Sequence, residues 1–170
     1  MTFPLRVFLN GTAAVHGYSA QFFELAPLSS FDRPDLELRP FAIDPLQGNS
    51  YDFLLTWVVV TQLVYQNNVS FLFGCSSFAG TQPQAHTAAF RYLCRLNHIA
   101  LDSWRLVLRG GYRLAQALDD YQNGMVTDLA PLFWSYLALG GKVSDHEAID
   151  PDLVTTLLFT GMGVAQVPQK

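Results

Sequence analysis

Residues 69–80 read VSFLFGCSSFAG. A β-branched and aromatic run, Val69 to Phe73, meets Gly74-Cys75-Ser76-Ser77, and Thr81 and Pro83 then open a helix. The pattern predicts a buried strand over 69–73 that ends in small polar residues just ahead of a helix. In an open α/β sheet that junction exposes unpaired backbone amides, and ligands bind there. The rest of the chain is read by how it serves this junction.

The chain has 170 residues, enough for one domain with a proper core. Half are apolar, 14% are charged, and the mean hydropathy is +0.18. Apolar surface left exposed marks a lipid, a membrane face or a partner. A net charge of −4 excludes the basic footprint that nucleic acid requires and a polybasic membrane anchor. Cys75 and Cys94 make neither a disulfide framework nor a zinc site, which points to a reducing, cytoplasmic setting. MTFPLRVFLNGT has no signal-peptide pattern. The longest apolar stretch, Phe53 to Val64, falls short of the roughly 20 residues of a bilayer span and carries Thr56, Thr61 and Gln62. It reads as a buried core element.

Leu5–Leu9 is predicted as a strand closed by Asn10-Gly11, and Phe22–Leu25 as a second. Leu36–Ile43 alternates like a strand, although Pro40 removes a ladder donor. Ser50 caps a helix over Tyr51–Tyr65 that Asn67-Asn68 ends. Thr81-Gln82-Pro83-Gln84 fits a capping box for a helix reaching about Asn97, with Ala85, Ala89, Tyr92, Leu93 and Leu96 on one face. Trp104–Leu108 is a strand or short helix, Leu129–Leu139 a helix stopped by Gly140-Gly141, and Val154–Phe159 the last strand. Strand–helix–strand–helix from 36 to 97 makes the chain α/β or α+β.

Four segments, GYSAQFFELAPL (17–28), LELRPFAIDP (36–45), LFGCSSFAGTQPQAH (72–86) and LAPLFWSYLALGGKVSDHEAIDPDLVTTLLFTG (129–161), resemble in order the blocks of the ornithine-lipid acyltransferases. That family is a hemolysin-like branch of the GNAT superfamily, and its members transfer a 3-hydroxyacyl chain from acyl carrier protein to the α-amine of L-ornithine. The resemblance implies a GNAT-like acyltransferase fold, one domain over 1–170, with a mixed sheet and a splayed parallel strand pair. The family pattern begins earlier, so the N-terminal strand and helices are expected to be missing from this chain. Glu37-Leu38-Arg39-Pro40 also departs from the family's Glu-Leu-Gly-Arg.

In that fold the phosphopantetheine arm lies between the splayed strands, here Leu36–Ile43 and Val69–Phe73. The resemblance implies Ile43, Asp44, Gly74, Cys75, Ser76 and Ser77 as the acyl and pantetheine wall. Aminolysis of a thioester needs a proton acceptor and stabilisation of the oxyanion. Glu37 matches the family glutamate as base, unless it is an outward-facing solvated carboxylate. Asp145 and Asp150, with Asp128 behind them, would meet the cationic amino-acid substrate; turn formation is the competing job of an aspartate. The acyl chain would lie along 51–64 and 129–139.

Cys75, His86 and Asp145 also suggest a Cys-His-Asp hydrolase, but Gly74-Cys75-Ser76-Ser77-Phe78 lacks the final glycine of a nucleophile elbow. His16, His98 and His146 show no metal spacing, so no metal and no cofactor beyond the carrier-protein thioester is expected. Arg91, Arg95, Arg105, Arg109 and Arg113 supply five of the ten Lys and Arg residues, with Asp102 the one acid between 91 and 113. Such a face would suit an acidic acyl carrier protein, with Arg91 and Arg95 as docking residues. The predicted partners are acyl carrier protein, L-ornithine and peripheral membrane lipid at the inner membrane. The competing reading is a non-catalytic remnant that binds acyl carrier protein or a partner subunit.

Overall fold

A computed structural model describes residues 5–8, 17–30, 33–38, 50–95, 106–109, 112–113 and 131–167. In chain order the described elements are β1 (Leu5–Phe8), β2 (Phe23–Glu24), β3 (Asp35–Leu38), α1 (Ser50–Asn67), β4 (Phe71–Ala79), α2 (Thr87–Arg95), β5 (Val107–Leu108), β6 (Tyr112–Arg113), α3 (Pro131–Ala138), β7 (Lys142–Asp150) and β8 (Thr155–Gly163). Short 3-10 turns lie between several of them. The fold is mixed α/β, as the sequence predicts. Six strands form one sheet in the order β1-β3-β4-β8-β7-β6, and β2 and β5 form a separate antiparallel ladder.

Within the large sheet β3 and β4 pair in parallel; the other described pairs are antiparallel. Parallel neighbours need a crossover, and α1 lies between them in the chain. Side-chain alternation along β4 separates two cores. Phe71, Phe73 and Cys75 face Phe23, Leu25, Leu28 and Phe159. On the opposite face Leu72 joins Leu36, Val60 and Met162, while Phe78 joins Phe90, Leu93, Phe133 and Leu137. The helices therefore cover one face and the 17–30 segment covers the other.

The central strand corrects the sequence reading. β4 does not stop at Phe73 but runs through Gly74-Cys75-Ser76-Ser77 to Ala79, because β8 pairs with every residue from Phe71 to Ala79. A continuous partner supplies the hydrogen bonds that local propensity does not. Nor are the parallel strands splayed where they are described: Asp35–Leu38 is in register with Phe71–Gly74. A Cβ on Gly74 would stand 2.2 Å from the Leu38 carbonyl oxygen, so glycine is what lets β3 approach. The remainder of the predicted first wall, 39–44 with Ile43 and Asp44, lies outside the described residues.

Helix ends follow their chemistry. Asn68, at φ 51°, closes α1 with Val69 N–H on the Val64 carbonyl and Asn68 N–H on that of Tyr65. Gly140, at φ 92°, closes α3 the same way, with Gly141 N–H on Tyr136 and Gly140 N–H on Leu137. The predicted capping box is replaced by a 3-10 turn, Pro83–His86, whose flanking residue is Gln82 rather than Thr81. Lys142–Asp150, to which the sequence reading assigns no element, is strand β7.

Candidate functional site

The site is built round Glu37. Leu36 packs on the helical face, so alternation turns Glu37 to the opposite one, where the segment from residue 17 covers it. Of the two sequence readings, the buried one holds: Glu37 is 0% exposed. Its Oε1 accepts the Ser19 N–H at 2.7 Å and its Oε2 the Tyr18 N–H at 3.0 Å. Both amides open the 3-10 turn Ser19–Gln21, and the first N–H groups of a helical turn have no partner within it. A carboxylate from the sheet supplies one. In the ladder Arg6 stands across from Glu37.

Cys75 follows Phe73, the parallel partner of Glu37, on the same face of β4. Its Sγ donates to Ser19 Oγ at 3.4 Å. Burial pushes the thiol up to about 12, so it stays protonated at neutral pH and is no thiolate nucleophile. Tyr18 O–H donates to Asp150 Oδ2 at 2.6 Å; burial first, then this bond, hold the phenol above its ordinary range. Asp150 Oδ1 accepts the N–H groups of Asp152 and Leu153 at 2.9 and 3.0 Å. Burial pushes the Asp150 carboxyl up, but hydrogen bonds from Tyr18, Leu153 and Asp152 outweigh it and hold the carboxyl below its usual range. Glu37, Ser19, Cys75, Tyr18 and Asp150 thus form one linked group across β3, β4 and the end of β7.

Other predicted residues fall elsewhere. Ser76 faces the helical side and shares a 2.9 Å hydrogen bond with Thr160 Oγ1, while Ser77 is exposed. Asp145 pairs with its neighbour His146, Oδ1 to Nδ1 at 2.5 Å. His86 Nε2 is 2.9 Å from the Ala79 carbonyl oxygen, and its ring lies against Phe78 and Phe90. The Cys75, His86 and Asp145 of the hydrolase reading are therefore each engaged with a different partner. Arg91 is half-buried on α2, the side chain of Arg95 lies outside the described residues, and Arg109 is paired with Glu24 at 2.7 Å. Part of the proposed basic face is thus neutralised from a distant segment. Asp128 lies outside the described residues.

Two buried carboxylates escaped the sequence reading. Among the described residues, neither oxygen of Asp35 has a hydrogen-bond partner, and Oε2 of Glu147 has none. Burial pushes each up to about 7. Asp35 stands two residues before Glu37 on an alternating strand, the one sequence signal that placed it on the same face. Among the described residues, no group of three His, Cys, Asp or Glu side chains could hold a metal ion, and no helix is long and apolar enough to cross a membrane.

Comparison with known proteins finds one such similarity. The chain is 26% identical over 165 residues to an L-ornithine N(alpha)-acyltransferase of Brucella abortus (strain 2308), an alignment covering 90% of this chain and 56% of that protein. The chain therefore spans about half the length of the curated relative it matches. No protein-family model matches it, and no solved structure does.

Proposed function

We propose that the chain is an N-acyltransferase domain that moves a 3-hydroxyacyl group from acyl carrier protein to the α-amine of L-ornithine, giving a lyso-ornithine lipid. The observation that carries this reading is the similarity to an ornithine acyltransferase along 90% of the chain. The sheet is compatible with it. The β3–β4 ladder is described as far as Leu38 and Gly74, and β4 continues for five more residues whose partner among the described residues is β8. A pantetheine arm would pair with β4 beyond Gly74, where Cys75 and Ser76 lie. Transfer is direct, because the buried Cys75 thiol is not poised to form an acyl-enzyme. Glu37, the base expected from sequence, forms the inner wall with the Tyr18 and Ser19 amides.

The acyl chain and peripheral membrane lipid would lie against the outer side of α1. There Leu54, Val58 and Tyr65 recur at helical spacing and are 58%, 54% and 88% exposed. Arg91 and Arg95 would meet the carrier protein, at a cytoplasmic site beside the inner membrane.

The test is an assay of the purified chain with 3-hydroxyacyl carrier protein and L-ornithine, followed by mass spectrometry. N-acylornithine and free carrier-protein thiol are the expected products. Carrier protein bound without turnover would favour the second reading, a binding-only remnant, which the 56% coverage of the relative keeps in play. Neither binding nor product would overturn both.

A further inference from the structure

Tyr18 has no role in the sequence reading, yet in the structure it is the long link of the group round Cys75. Its backbone N–H sits on Glu37 Oε2 at 3.0 Å and its hydroxyl on Asp150 Oδ2 at 2.6 Å. One tyrosine thus reaches from a carboxylate of β3 to a carboxylate of β7, across the strands that separate them in the sheet. The face is the same throughout. Cys75 and Ala148 belong to one core cluster, against which Tyr18 and Phe22 pack. Asp150 stands two residues beyond Ala148 on β7, so alternation turns it to that face as well.

The contacts also tie the pair to β4. Ser19, next to Tyr18, accepts the Cys75 thiol at 3.4 Å. Cys75 is the first residue of β4 beyond the described β3–β4 ladder. The Asp150 carboxylate is near enough to help hold that thiol up. Residues 151–154, the turn that follows Asp150, are exposed throughout, and Tyr18 is half-buried. The pair therefore stands at the rim of the sheet, whereas Glu37 and Asp35 on the same face are 0% and 1% exposed.

Chemically the pair is a set of acceptors. With its proton given to Asp150, the Tyr18 oxygen has only lone pairs left to offer. Asp150 Oδ1 takes the Asp152 and Leu153 N–H groups, and these donors with Tyr18 favour the ionised carboxylate. Among the described residues no Lys, Arg or His pairs with it. Arg109, whose N–H bonds the Phe22 carbonyl at 3.0 Å, gives its guanidinium to Glu24 at 2.7 Å. A carboxylate 4% exposed is costly to keep charged without a cation, and a bound cation relieves that cost. The rings of Tyr18 and Phe22, both half-buried, meet edge to face at 5.4 Å, and aromatic faces attract cations.

We propose that Tyr18 and Asp150, with the Phe22 ring beside them, receive the side-chain ammonium of the amino-acid substrate. This rests on the acyltransferase reading above. It divides the two aspartates that the sequence reading gives to the substrate: Asp150 holds the cation, while Asp145 is engaged by His146. The ammonium donates to the Tyr18 oxygen and to the Asp150 carboxylate. No bond forms or breaks there, and the amine that is held is the one that does not react. An uncharged side chain in the same place would leave the carboxylate without its cation, so the pair selects a diamino acid over its monoamino analogue.

The test uses the full chain, a 3-hydroxyacyl carrier-protein thioester and two acceptors, L-ornithine and L-norvaline, which has the same carbon chain without the side-chain amine. The wild type is expected to prefer ornithine. Tyr18→Phe is expected to lower the ornithine-to-norvaline ratio of kcat/KM about tenfold. Asp150→Asn, which keeps an acceptor for the turn, lowers it on the order of a hundredfold. Both act through KM for ornithine, with kcat little changed. A loss shared equally by the two acceptors marks a structural role and overturns the proposal, as does an ornithine KM that neither variant moves. A wild type that acylates neither amine overturns the functional reading instead. Calorimetric titration with L-ornithine and with 1,4-diaminobutane then puts the question to the site alone. Binding by the wild type that weakens about tenfold in Tyr18→Phe upholds it; no binding, or equal binding by both chains, refutes it.

Discussion

Asp35 and Glu37 stand two residues apart on β3, buried on the same face, and they have opposite surroundings. Glu37 receives two backbone N–H groups from the turn that covers it. Among the described residues Asp35 receives none, and neither does Oε2 of Glu147 on β7. Burial by itself therefore says little about what an acidic side chain does. A buried carboxylate that is given donors becomes an anchor, because removing it strands the donors. One without donors becomes a group whose charge the fold resists.

The sharpest way to break the contrast is to remove Glu37. Glu37→Ala leaves two buried amides without an acceptor and is expected to cost about 3–5 kcal/mol in urea unfolding, with Glu37→Gln falling between it and wild type. A loss below about 1 kcal/mol would mean that the Tyr18 and Ser19 amides have another partner. Next in size is the pH dependence of stability. In the folded chain Asp35 and Glu147 hold their protons up to about 7, against ordinary values of 3.8 and 4.5. The folded state thus binds more protons than the unfolded one across that interval, and stability falls as pH rises from about 4 to about 7. Asp35→Asn and Glu147→Gln are expected to flatten that slope, raising Tm at pH 8 and leaving it nearly unchanged at pH 4. A slope untouched by both variants would remove these groups as its source. The smallest effect belongs to the tie between the two ends of the anchored group. Tyr18→Phe deletes only the bond to Asp150 and should cost about 1 kcal/mol, read as a small fall in the urea midpoint.

How much of this was readable beforehand differs by element. The short apolar strands at Leu5–Phe8 and Phe23–Glu24, the helix ended by Asn68 and the glycine stop after α3 all carry local signals, and the structure has them within a few residues. Gly74-Cys75-Ser76-Ser77 misled because small polar residues resemble a turn. They form strand because β8 pairs along their whole length. Lys142–Asp150 carries no element in the sequence reading, for a related reason. Its charged run, with Asp145, His146 and Glu147 in succession, hides a strand whose alternation is interrupted by a bulge. The grouping of Glu37, Cys75 and Asp150 combines three of the predicted site residues, yet nothing in the sequence of the 17–28 segment marks Tyr18 and Ser19 as the residues that link them.

The sequence by itself determined the α/β class, the crossover from Leu36 through α1 to Phe71, and the resemblance to an acyltransferase, since these rest on periodicity, turn chemistry and order along the chain. Only the tertiary structure decided which carboxylates are anchored and which are not. That depends on whether a donor from a distant segment reaches them, as Ser19 reaches Glu37 while no donor among the described residues reaches Asp35. It also decided that Asp145 turns to His146, because a bulge is a mismatch between two strands and cannot be read from one of them.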